Sequence, residues 1–358
     1  MKIRCRVLPL WLVCVVGAVR AQEPTIDLTP VRAKTELTDE DRGLIRAFVN
    51  QRVAKATGAD AAEARRAADD LRAAFEGSDA FKREYAAACL EVIAATYKKA
   101  DLLPATRLLA VVGAFNLVEA HNLFLEALQD ERVGVRAAGA AGLRNLRPKL
   151  AAAGRDVVAK VLDGLKEAGK REKSRDTLKT IYAAMSYFEL SSAPDTKANI
   201  AALLELLEAR ARQYAAGTVS AVGADDTGLR IAQSALKSMD ETERQRLTVI
   251  AASMTKYAIE QYTSPATKLS ELSDKDASGE LLESRNAIER LIMAGEELLV
   301  TLVKPEKPPA VAESMRKVNT DDMLSEWKKW VPLLQKAVNQ DFTLKEVPAE
   351  ESAPGEGS

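Results

Sequence analysis

Residues 104–148 constrain the fold more than any other stretch of the chain. An apolar run, Leu108-Leu-Ala-Val-Val-Gly-Ala-Phe, is followed by a polar break, a second apolar run from Leu123 to Leu128, and a third segment opening at Val135. A shift of 29 residues lays Arg107 on Arg136, Gly113 on Gly142, Asn116 on Asn145 and Leu117 on Leu146. A unit of this length holds two short helices and cannot bury its apolar face alone, so neighbouring units must stack. The run from Leu108 to Val118 is apolar on nearly every side, as an inner helix must be. It is shorter than the ~20 residues of a membrane span. Glycine weakens a helix by about 1 kcal/mol relative to alanine. Gly113, Gly139 and Gly142 are therefore expected where helix backbones approach closely.

The segment 125–146 resembles a HEAT repeat. A first helix ends in Leu128-Gln-Asp130, a short turn follows, and a second helix opens at Val135-Arg136 with an alanine-rich run. The resemblance implies an α-solenoid in which the turn aspartate and the second-helix arginine bond along the stack, a role that falls to Asp130 and Arg136. Glu131 and Arg132 stand where the family often has proline. The pattern is fainter over 84–117 and 156–188, as flanking repeats are in such arrays.

Apolar positions elsewhere recur at helical spacing, and no run of alternating β-branched residues appears. The expected fold is all-α, a HEAT-like α-solenoid over 38–216 followed by a C-terminal helical bundle over 229–342. Residues 22–37 read as an extended linker, and 217–228 as a glycine-rich loop between the two parts. Residues 343–358 read as a disordered acidic tail.

Residues 1–21 have the form of a secretory signal peptide: Lys2, Arg4 and Arg6, an apolar core, and a small-residue site ending at Ala21. Cleavage there predicts a periplasmic or secreted protein with no transmembrane segment in the mature chain. It removes four basic residues, leaving 51 − 4 = 47 against 52 acidic ones, a net charge of −5. That balance argues against a nucleic-acid partner, which calls for a strongly basic domain. Two of the three cysteines leave with the signal, so Cys89 stands alone and reads as a buried, inert thiol.

The only histidine is His121, in a turn, which leaves no multi-histidine metal site and no recognisable catalytic triad. The stretch 217–228 lacks the Lys-Ser/Thr of a phosphate loop and the spacing of a calcium loop. No cofactor or metal is expected. The sequence points to a non-enzymatic scaffold for an unidentified protein or peptide. The expected partner-binding residues are Arg107, Arg136 and Arg144 on the second helices, with Lys170, Arg171, Lys173 and Arg175 in a basic turn. The alternative is an enzyme, or enzyme subunit, with its site between the solenoid and the C-terminal helices.

Overall fold

The computed structural model describes residues 26–190, 195–218, 223–264, 267, 269–272 and 279–344. The signal segment, residues 191–194, part of the expected loop (219–222) and the tail from 345 onward lie outside them. Among the described residues every regular element is a helix.

The first helices start where the sequence supplies caps. A single turn, α1 (Thr29–Arg32), precedes α2 (Asp39–Ala56), which opens on a capping box. Thr38 Oγ1 accepts from the Asp41 amide at 3.2 Å, and the Asp41 carboxylate accepts from the Thr38 amide at 3.0 Å. Asp60 caps α3 (Ala61–Ala73) and Ser78 caps α4 (Asp79–Tyr97), each accepting amide hydrogen bonds of the first turn. Helix α5 (Leu102–Phe115) ends on Asn116 in the left-handed conformation, φ 53°. Short α6 (His121–Ala127) leads to the long α7 (Val133–Ala153). There follow α8 (Arg155–Arg171), α9 (Arg175–Met185), α10 (Thr196–Ala215) and α11 (Asp225–Ser234). Asp240 and Glu243 form a second capping box at α12 (Glu241–Thr263). The chain finishes with α13 (Gly279–Val303), α14 (Val311–Arg316) and α15 (Thr320–Val338).

Two local expectations are corrected. Residues 22–37 are not wholly extended, because Leu28 and Val31 of the α1 turn are buried in the core. The loop expected over 217–228 gives way to α11 at Asp225, whose side chain, with that of Asp226, is buried. Elsewhere, helix α7 runs on through Pro148. Proline removes the hydrogen bond to the carbonyl four residues back, and here that carbonyl, on Arg144, accepts from Arg147 Nε at 3.4 Å instead. Pro148 itself is exposed, so its ring meets solvent.

The helices pack in two layers of antiparallel hairpins. One layer holds α2, α4, α6, α8, α10 and α12, the other α3, α5, α7, α9, α11 and α13. Each helix packs on its hairpin partner, and every second-layer helix packs on the next in its own layer. In the first layer α4 and α6 do not pack closely, because α6 has only 7 residues and a 3₁₀ turn over Val118–Ala120 precedes it. The order crosses residues 217–228 without interruption, α10 packing on α12 and α9 on α11. Helices α14 and α15 close the end against α12 and α13. One hydrophobic core runs from Leu28 to Phe342.

Glycine sets the interhelical spacing in the middle of the stack. Phe124 of α6 is fully buried with its ring between Gly113 of α5 and Gly142 of α7. A Cβ on Gly142 would lie 2.5 Å from that ring, whereas one on Gly113 would find it at 3.8 Å. At Gly139 the obstacle is backbone, the Phe124 carbonyl oxygen at 2.8 Å.

Candidate partner-binding site

The arginines singled out in the sequence divide into those tied to the scaffold and those left free. Arg107 Nη1 donates to the Ala56 carbonyl at 2.7 Å, joining α5 to the end of α2. Arg136 reaches the expected turn, but only through its main chain: Nη1 donates to the carbonyls of Asp130, at 3.0 Å, and Glu131, at 2.8 Å. The Asp130 carboxylate instead takes Arg132, through Nε at 2.8 Å and Nη2 at 2.7 Å. Arg132 in turn donates to the carbonyls of Ala100 and Tyr97 in the preceding α4–α5 turn.

Arg136 spends its remaining donors on Glu172, at 2.7 and 3.0 Å, in the turn between α8 and α9. Glu172 is 2% exposed. Burial acts to raise its pKa, but the Arg136 guanidinium and the amides of Ser174 and Lys173 outweigh burial and hold it below the usual carboxylate value. The Glu172 carbonyl also accepts from Arg210 Nη1 at 3.3 Å. Guanidinium groups thus lace successive turns together, with partners other than the expected Asp130–Arg136 carboxylate bond.

Four expected residues remain available. Arg171 and Lys173 are exposed, and their side chains make no hydrogen bond or ion pair among the described residues. Arg144 is exposed, with only a 3.5 Å contact to Asn145. Arg175 is half-buried within electrostatic range of Arg290 on α13; burial and this like charge lower the Arg290 pKa. Lys170 pairs with Glu167 at 2.6 Å on the α8 surface.

Beside these cations lies an apolar patch missed in the sequence. Leu102 and Leu103 open α5 and are 48% and 62% exposed; Val133 opens α7 and is 47% exposed. Leu102 reaches over Gly134, where a Cβ would sit 2.8 Å from Leu102 Cδ1, which brings the start of α5 against the start of α7. Through Arg136 and Glu172 the patch continues to the α8–α9 turn with Arg171 and Lys173. Asp101, Glu131 and Asp176 are exposed on the same ridge, which is therefore mixed in charge.

The most concentrated polar chemistry is sealed inside. Asp225, fully buried, accepts from Arg210 at 3.1 and 3.0 Å, from Tyr182 Oη at 2.6 Å and from Tyr214 Oη. Burial raises both tyrosine pKa values far above the ordinary range, with the Asp225 charge adding to it. This network pins α11 to α9 and α10. Cys89 is buried, its thiol pushed up to about 12 by burial, as expected of an inert thiol. His121 is half-buried, its Nδ1 2.7 Å from the Val118 carbonyl. A hollow of about 280 Å³ between α12, α13 and α15 is lined by Lys237, Glu241, Arg244 and Lys304, and Arg244 there serves the carbonyls of Leu236 and Met239. Among the described residues no cluster of His, Cys, Asp and Glu could hold a metal ion, and no helix is long and apolar enough to cross a membrane. Neither a family model nor a curated protein matches the sequence.

Proposed function

We propose that this chain is a non-enzymatic scaffold, a HEAT-like α-solenoid that holds a protein partner on the ridge formed by its α4–α5, α6–α7 and α8–α9 turns. The carrying observation is that exposed Leu102, Leu103 and Val133 open the packed helices α5 and α7, and that Arg136 and Glu172 join this end to the turn carrying Arg171 and Lys173, neither of them paired among the described residues. Contiguous exposed apolar side chains with a polar rim mark interaction surfaces on soluble proteins. The two-layer order of hairpins supports the solenoid reading, since each unit adds similar surface along a continuous edge. The sealing of the Asp225 network supports the non-enzymatic reading, because a substrate has no route to it. The proposal places the protein outside the cytoplasm, after removal of the segment ending at Ala21.

The test is a photo-crosslinking amino acid placed at Leu103 in the native host, with the same probe at exposed Arg65 of α3 as control. The expected result is a discrete adduct in the envelope or secreted fraction from the Leu103 position alone. Absence of an adduct at Leu103, or the same adduct at Arg65, overturns the ridge as the docking surface.

A further inference from the structure

The gap between α4 and α6 leaves a cleft of about 380 Å³, within the size range of small-molecule sites. Phe75, Ala86, Ala87, Leu90 and Leu117 give it an apolar lining, and Asp79, Lys82, Arg83 and Glu119 supply the polar groups. It exists because first-layer packing lapses there: α5 stops at Asn116, the chain makes a 3₁₀ turn, and α6 is too short to cover α4. The cleft lies at the start of α4 and beyond the end of α5, whereas the docking ridge lies at the end of α4 and the start of α5. It is therefore a separate site.

Two acidic and two basic side chains line it. Asp79 and Glu119 are exposed, so solvent satisfies both carboxylates. Lys82 is half-buried, and its ammonium makes no hydrogen bond or ion pair among the described residues. Asp79, one turn back on the same helix, does not reach it, and neither does Glu119. An ammonium without a carboxylate partner beside an apolar wall is complementary to a ligand with an anionic end and a hydrocarbon body. Arg83 is exposed, unpaired and also lines the cleft, adding to the positive side.

We infer that this cleft binds a small amphipathic carboxylate, its hydrocarbon part against Phe75, Leu90 and Leu117 and its carboxylate on Lys82. Ala87 faces the cleft from an exposed position on α4, so a large side chain there fills the space without entering the core.

Isothermal titration with decanoate, and with decyltrimethylammonium as a probe of the same length and opposite charge, tests the site. Decanoate is expected to bind saturably at one site, at least about tenfold tighter than the cation. Ala87→Trp is expected to weaken decanoate by about tenfold or more. Lys82→Gln, at a position outside the core, is expected to remove most of the preference for decanoate while leaving the circular dichroism unchanged. Absence of saturable binding, equal affinity for the two probes, or full binding by Ala87→Trp each overturns the inference. Loss of decanoate binding in Leu103→Asp overturns its separateness from the docking ridge.

Discussion

Arg136 and Glu172 stand 36 positions apart in the chain, yet they form the pair on which one turn of the stack depends. Removing one member of a buried ion pair strands the other charge. Arg136→Ala is therefore expected to lower stability by about 3 kcal/mol, measured by urea unfolding. Arg136→Ala combined with Glu172→Gln should recover part of that loss, because no charge is left stranded. The pair also has a pH signature. Glu172 has a folded pKa below its unfolded value of 4.5, so its contribution is complete above that value and is lost as pH falls through the lower folded one. Unfolding midpoints taken from pH 6 down to pH 3 should fall more steeply for the parent than for Glu172→Gln. Parallel profiles would show that the charge of Glu172 does not stabilise the fold.

The two aligned glycines make a sharper comparison, since the repeat gives them one role and the packing gives them two. Gly142 is buried against Phe124 with no room for a Cβ, so Gly142→Leu is expected to cost about 3 kcal/mol. Gly113 has ordinary van der Waals space, and Gly113→Ala is expected to stabilise by about 0.5 kcal/mol through helix propensity. Thermal midpoints moving the same way in both variants would contradict this arrangement of Phe124.

Among the helices, α11 is the one most dependent on a single side chain. Its N-cap is Ala224, which offers no capping oxygen, and its first residue, Asp225, is spent on the buried network with Arg210, Tyr182 and Tyr214. Asp225→Ala is expected to cost about 4 kcal/mol by leaving the Arg210 guanidinium buried without its carboxylate. Hydrogen exchange should then quicken first in α11 and the end of α10, ahead of α2–α5. Uniform quickening along the chain would mean that the network stabilises the stack as a whole and not this junction. The sequence reads this stretch as a loop because three glycines and two aspartates are turn formers. That local preference yields to tertiary contact, Gly228 fitting where a Cβ would press on the Tyr182 ring at 2.7 Å.

The continuous core and the unbroken second layer make the stack from α2 to α13 one packing unit closed by α14 and α15. At the far end, Trp327 and Trp330 of α15 are fully buried; Trp327 Nε1 donates to the Phe342 carbonyl at 3.0 Å. These aromatics serve packing. On the outside, Leu103→Asp and Val133→Asp remove exposed apolar surface and should leave the unfolding free energy within about 1 kcal/mol of the parent. A large loss of stability in either would mean that the ridge belongs to the core and is not a surface for a partner.

Helical spacing of apolar residues, caps such as Thr38 and Ser78, and the apolar neighbours of Cys89 were sufficient to determine an all-helical protein with a buried thiol. Each of these rests on contacts within a few residues or on composition alone. The tertiary structure alone decided which arginine meets which carboxylate, why Gly142 is crowded and Gly113 is not, and that Leu102, Leu103 and Val133 face solvent. Those outcomes depend on where a neighbouring turn or ring comes to rest, and periodicity along one helix carries no information about its neighbour's position.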